Sequence, residues 1–244
     1  MKPISFIIPS RNNKTYLKMC YNSIRKNSGY THEICFADYF SEDGTWEYLQ
    51  EIKSKDDNVK IYRNEGPERL GLTILYDKIV EEMATNDRLL FFHSDMYLFP
   101  EALDYVDEYL KEGVVVTLTR VEPPLHPEGP EKIVVDFGIE PDELKEQQLL
   151  DWYRRYEPTQ EITEGVFAPW SIMRKDFESI GGHDKLFRPQ SKEDSDIFNR
   201  LHLSGVKFIQ TWKGLVYHMT SRGSRFNPYS GGAPGKDSPE WLYT

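Results

Sequence analysis

Apolar residues in the first 120 positions alternate between two periods. Residues 4–8 form a β-branched and aromatic run ended by Pro9, after which Ser10, Asn12 and Asn13 supply turn and helix-start chemistry. Tyr16, Leu17, Cys20 and Ile24 recur at helical spacing until Gly29 closes the segment. Residues 33–37 predict a second strand. Gly44 and Thr45 open a helix carrying Trp46, Leu49 and Ile52, and residues 59–62 predict a third strand. Leu72, Leu75, Ile79 and Met83 mark one stripe of a helix over 72–83. The run RLLFF at 88–92 has no polar alternation, as expected of a strand buried on both faces. A helix over 101–110 and a fifth strand over 114–118 complete this half. Strands alternating with helices imply right-handed βαβ units, hence an α/β fold with a mostly parallel central sheet flanked by helices.

The pattern breaks near residue 121. VEPPLHPEGPEK is rich in Pro and Glu and predicts no regular element. Residues 133–137 read as a strand, and 141–156 as an acidic helix with a solvated face. The chain turns apolar again at GVFAPWSIM from Gly165. GGHD follows at 181–184, KEDSDIFNRLHLSG at 192–205, and a last strand candidate, GLVYH, at 214–218. From Thr220 the sequence is Gly, Ser and Pro rich and is expected to be a flexible C-terminal segment, or a loop that orders on a ligand. There is no internal repeat. The expected organisation is a single domain over 1–244, divided into 1–120, a smaller region over 121–219, and the segment 220–244.

Length and charge narrow the class. A chain of 244 residues suits one large α/β domain or two small ones. Its 30 basic against 40 acidic side chains, a net charge of −10, argue against a nucleic-acid binder, which needs a basic face. No run approaches the roughly 18–20 apolar residues of a spanning helix. The apolar run at the N-terminus is too short for the core of a signal peptide. Two cysteines, Cys20 and Cys35, exclude a disulfide framework and fit a reducing cytoplasm. Peripheral membrane association through the Pro-rich segment stays open.

In an open parallel sheet, ligands bind beyond the carboxyl ends of the strands. Ser10, Arg11 and Asn12 follow the first strand. Asp38 and then Ser41-Glu42-Asp43-Gly44-Thr45 follow the second, and His93, Ser94 and Asp95 follow the RLLFF strand. These three sets are expected to meet on one rim. Their order, with Pro five residues after Asp95, resembles the family-two glycosyltransferases of the GT-A fold. Gly181-Gly182-His183-Asp184 looks like that family's GGFD turn. Lys192-Glu193-Asp194-Ser195-Asp196, with Asn199-Arg200-Leu201 and Gly205, looks like its Glu-Asp-x-Asp signature. The resemblance covers residues 4–220.

The resemblance implies a Rossmann-like GT-A domain that takes a sugar from a nucleoside-diphosphate sugar, with UDP-sugars favoured, and passes it to a glycan or other hydroxyl acceptor. Residues 1–120 would bind the donor and 121–219 the acceptor. Asp38 matches the position that accepts a hydrogen bond from the donor base, with Pro9 and Arg11 lining the same end. Asp43, Ser94 and Arg222 are further donor-binding candidates, Asp43 having an N-terminal turn or cap as its alternative. Asp95 matches the second, metal-binding Asp of the family's Asp-x-Asp motif, whose first Asp is here His93, a candidate third ligand whose alternative is to face a phosphate or the ribose. His218 stands where several such enzymes place a metal-ligating His. Mn²⁺ or Mg²⁺ would neutralise the leaving diphosphate. Asp194 matches the general base of an inverting transfer, at a helix start that favours a charged carboxylate. Glu193 and Trp170 are acceptor-side candidates, whereas Trp152 reads as core. The alternatives are a non-catalytic nucleotide-sugar or glycan-binding protein, a sugar-1-phosphate nucleotidyltransferase, and a retaining transferase. The glycine-free loop PSRNNKTY disfavours the nucleotidyltransferase. A start at Met1 without appended segments suggests a small stand-alone enzyme, expected by family analogy to serve a polysaccharide or surface-glycan pathway.

Overall fold

A computed structural model describes residues 2–66, 70–125, 129–187 and 192–219. The first half follows the expected alternation: β1 (Ser5–Ser10), α1 (Lys14–Ser28), β2 (Glu33–Asp38), α2 (Thr45–Lys53), β3 (Val59–Arg63), α3 (Leu72–Glu82) and β4 (Arg88–Phe91). Then come β5 (Met96–Leu98), α4 (Ala102–Tyr109), β6 (Val114–Glu122), β7 (Lys132–Val134), α5 (Glu146–Tyr153), β8 (Ile162–Thr163), β9 (Trp170–Met173), α6 (Arg174–Ser179), α7 (Glu193–Leu203) and β10 (Lys207–His218).

Among the described residues all strands join one ten-stranded sheet with the main order β3-β2-β1-β4-β9-β6-β10-β5. The β3-β2-β1-β4 half is parallel throughout, and β6 runs parallel to β10 and β7. β9 joins the halves, antiparallel to both β4 and β6, and β5 and β8 pair antiparallel with β10. The sheet is therefore mixed and mostly parallel.

Its central strands are apolar at consecutive positions because both faces are covered. Phe6, Ile8 and Leu90 pack with Leu17, Ile24 and Leu49, under α1 and α2. Their neighbours Ile7, Leu89 and Phe91 point the other way, onto Leu75 and Ile79 of α3 and Ile197 of α7. A third cluster of Tyr16, Tyr97, Phe99, Phe137 and Tyr217 seats α5, with Trp152 packed against it as expected.

The elements differ from the sequence expectation where pairing overrides local composition. Pro9 lies inside β1 rather than ending it, opposite Ala37 of β2. The Ile7 carbonyl accepts from Phe92, so the strand's alternation turns the Pro9 nitrogen to the same side, beyond the paired length of β4, where no N–H is required. β6 continues four residues past the expected strand, to Glu122, because Leu215–Tyr217 of β10 pairs with Thr119–Val121. β10 itself begins at Lys207 and shifts register between Thr211 and Leu215. The acidic helix begins only at Glu146, since Gly138 through Lys145 is held as turns on Phe137 and Glu140. The segment 220–244 lies outside the described residues. No helix among the described residues is long and apolar enough to cross a membrane.

One buried ion pair ties α1 to the loop before β3. Arg25 donates from Nε to Asp56 at 2.6 Å and from Nη1 to the His32 carbonyl at 2.9 Å, both charged side chains being almost fully enclosed. Removing one partner leaves the other charge buried and unmatched. Asp56→Ala is expected to lower unfolding free energy by about 3 kcal/mol in urea denaturation.

Candidate active site

Three strand-end loops are knitted together at the carboxyl edge of the parallel half. Asn12 donates its backbone N–H to Ser41 Oγ and accepts from the Glu42 N–H, which joins the loops after β1 and β2. Asn13 Nδ2 donates to Ser94 Oγ at 2.8 Å and so joins the loop after β4. The expected rim exists, and Ser94 is one of its ties.

Asp38 ends β2 fully buried. Burial raises its pKa, although the Ser41 N–H, which it accepts at 3.3 Å, and Arg63 at 3.5 Å act the other way. Its Oδ1 is buried without a hydrogen-bond partner. A buried, unsatisfied acceptor on a ligand rim fits an N–H donor from outside the chain. Pro9 and the exposed Arg11 stand at the neighbouring end of β1. Asp43 is used internally: it accepts from the Lys14 and Thr45 N–H groups and from Thr45 Oγ, so it braces the start of α1 against that of α2. These bonds fit the turn reading of Asp43.

The densest chemistry lies after β4. His93, Asp95 and His218 each present a ligand atom, all within 4.8 Å of one another. β5 makes this possible by running back antiparallel along the end of β10, which sets Met96 opposite His218. The Met219 N–H then donates to the Asp95 carbonyl. His218 Nε2 is 3.4 Å from Asp95 Oδ2, and its Nδ1 donates to Glu122 Oε1 at 2.9 Å. Burial disfavours a charged His218, but the Asp95 and Glu122 carboxylates prevail and push its pKa up to about 9. Burial also opposes ionisation of Asp95, yet His218 and His93 hold its carboxyl below the usual range. Glu122 behaves alike, drawn down to about 2 against burial by His218, Arg120 and Lys132. His93 shifts the other way: burial, helped by the charge of His218, lowers its pKa and leaves a neutral imidazole at neutral pH.

Asp194 lies half-buried in the first turn of α7, beside the buried Glu193. Its charge acts on His93 and Tyr76, and that of Glu193 on Tyr76, so Asp194 stands within electrostatic reach of His93. α7 is held in place by Arg200, which bonds Asp196 one turn back and donates to the carbonyls of Ile180 and Gly182. That turn is locked to α3 in its own right. Asp77 accepts from the His183 N–H and lies 2.7 Å from His183 Nδ1, while Tyr76 stacks on the His183 ring.

One further expectation changes, and one lies outside the described residues. Trp170 packs as core: it is 2% exposed and stacked on Phe91 with centroids 4.2 Å apart, because β9 is an interior strand. Arg222 lies outside the described residues. A cleft of about 610 Å³ opens between β8, the start of β10 and the end of α7, at the opposite end of the strands, and contains none of these residues. The sequence reading missed Glu122 because it ended the fifth strand at 118. Tracing that strand to the Pro123-Pro124 stop would have put a carboxylate at a strand end.

Comparison with known proteins agrees with this architecture. A model of glycosyl transferase family 2 matches residues 5–179, more than half of the chain, and the chain belongs to that family. It is 34% identical over 113 residues to the abequosyltransferase RfbV of Salmonella typhimurium (strain LT2), a match covering 44% of this chain and 32% of that protein. GalNAc-T7, crystallised with UDP, GalNAc and Mn²⁺, superposes with a TM-score of 0.65 at 16% identity, covering 88% of this chain and 42% of that one. S. aureus TarS 1–349 in complex with UDP also gives a TM-score of 0.65, at 17% identity, covering 88% and 60%. At such identities the structural likeness is one of fold, and the chain spans less than two thirds of each of these relatives. The expected GT-A fold is thus the observed one.

The lock between α3 and the 181–183 turn is testable. Gly182 has φ 69°, and a Cβ there would sit 2.9 Å from Asp77 Oδ2. Gly182→Ala combines backbone strain with that clash and is expected to lower stability by about 2 kcal/mol, read from chemical denaturation.

Proposed function

We propose that this chain transfers a sugar from a nucleoside-diphosphate sugar, a UDP-sugar being favoured, to a hydroxyl on a glycan or other acceptor, with inversion at the anomeric carbon. The observation that carries the reading is the His93–Asp95–His218 cluster on the same rim as the unsatisfied Asp38 Oδ1. Family membership and the UDP-bound fold neighbours support it. The likeness to an abequosyltransferase supports a polysaccharide or surface glycan as product.

The donor set fits a divalent cation. One carboxylate and two imidazoles suit a borderline ion such as Mn²⁺ better than Mg²⁺, which prefers oxygen ligands and keeps its waters. Asp95 and His218 would hold the ion, with the neutral His93 as a third ligand. When bound, the ion offsets the charge that grows on the departing diphosphate. Asp38 accepts an N–H of the donor base, and Pro9 and Arg11 border it. Asp194 takes the proton of the acceptor hydroxyl as its oxygen bonds to the anomeric carbon; the bond from that carbon to the phosphate oxygen breaks, and the nucleoside diphosphate leaves. Glu193 stands beside this base on the acceptor side.

Calorimetric titration with UDP, GDP, CDP and ADP, each with and without Mn²⁺, tests the reading. One nucleotide is expected to bind in a Mn²⁺-dependent way, and Asp95→Ala to abolish that dependence. Asp194→Asn is expected to keep nucleotide affinity within about twofold and lower turnover by about 10²–10⁴. Nucleotide binding indifferent to metal would overturn the role given to Asp95, and turnover surviving in Asp194→Asn would overturn that of the base.

A further inference from the structure

Glu122 belongs to no motif, yet it is among the most enclosed carboxylates described. Its side chain is 3% exposed and held on three sides: Lys132 Nζ lies 2.9 Å from Oε2, Arg120 Nε 3.3 Å from Oε1, and His218 Nδ1 2.9 Å from Oε1. The contact with His218 follows from strand register. Tyr217 of β10 pairs with Val121 of β6, and the next residue of each strand, His218 and Glu122, leaves the ladder side by side. Arg120 and Lys132 share with His218 the balancing of this carboxylate. The imidazole in turn needs the carboxylate, because an acceptor on Nδ1–H decides which ring nitrogen keeps its lone pair.

We propose that Glu122 is a positioning residue that makes His218 a cation ligand. This rests on the reading of His218 as part of a metal site. With Nδ1–H bonded to Glu122 Oε1, the proton that the imidazolium gives up to bind a cation is the one on Nε2, the nitrogen that faces Asp95 Oδ2 at 3.4 Å. A carboxylate behind a ligating histidine fixes its tautomer and ring orientation and raises its basicity. Lys132 and Arg120 hold Glu122 from behind, so the ring rests on a rigid support continuous with β6 and β7.

The test is titration of the full chain with Mn²⁺ alone, free ion being followed by its paramagnetic resonance signal. Glu122→Ala is expected to weaken Mn²⁺ binding about 10–100-fold. Glu122→Gln, which can still accept the Nδ1–H but carries no charge, should lose a smaller factor of about 3–10. Lys132→Met, which removes an ion pair from the same carboxylate without touching His218, should stay within about threefold of wild type, whereas a merely structural role would make it resemble Glu122→Ala. Because Glu122→Gln preserves shape, it carries the test if Glu122→Ala does not fold. Mn²⁺ binding lost in Asp95→Ala but unchanged in both Glu122 variants overturns this assignment alone. A wild-type protein that does not bind Mn²⁺ overturns the metal-site reading and this assignment with it.

Discussion

The site depends on the short antiparallel pairing of β5 with the end of β10. His93 and Asp95 follow a strand of the parallel half, and His218 ends a strand two places beyond β9 in the sheet order. Only when the chain doubles back at residues 93–95 and lays Met96 opposite His218 do they converge. The bond from the Met219 N–H to the Asp95 carbonyl closes that corner. β5 is three residues long and buries each of them, so its apolar side chains anchor a loop that is otherwise polar.

The electrostatics follow from this corner. A largely buried carboxylate is costly unless paired, and here two of them, Asp95 and Glu122, share one imidazole. Each is held ionised partly by His218, which is itself held protonated by both. The neighbouring His93 bears the opposite consequence and stays neutral. A divalent ion could take over the charge balance that the imidazolium now supplies. Asp194 of α7 stands within electrostatic reach of His93, and α7 is fixed through Arg200 to a turn that Asp77 and His183 lock onto α3.

Much of this was legible in the chain. Continuous apolar runs such as RLLFF have no other home than a strand covered on both faces, and Asp38 and Asp95 fall where a parallel sheet presents its ligand rim. The end of β6 was hidden, because the prolines after Glu122 looked like the start of an irregular segment while pairing with β10 carried the strand up to them. The role of Trp170 was hidden too: an aromatic beside a proline in an apolar run reads alike as pocket wall or core, and only the insertion of β9 between β4 and β6 decides for core. The bonds of Asp43 to the Lys14 and Thr45 N–H groups follow local chemistry, as an Asp ahead of a helix start offers its carboxylate to free N–H groups. The Asp77–His183 lock joins residues 106 positions apart and left no local signal.

The most direct test of the account is anomalous diffraction from crystals of this protein grown with UDP and MnCl₂. The account predicts a manganese peak bonded to Asp95 and His218, with His93 beside it and the diphosphate on its open side. A manganese ion held by other residues, or a nucleotide seated away from Asp38 and Asp95, would contradict it.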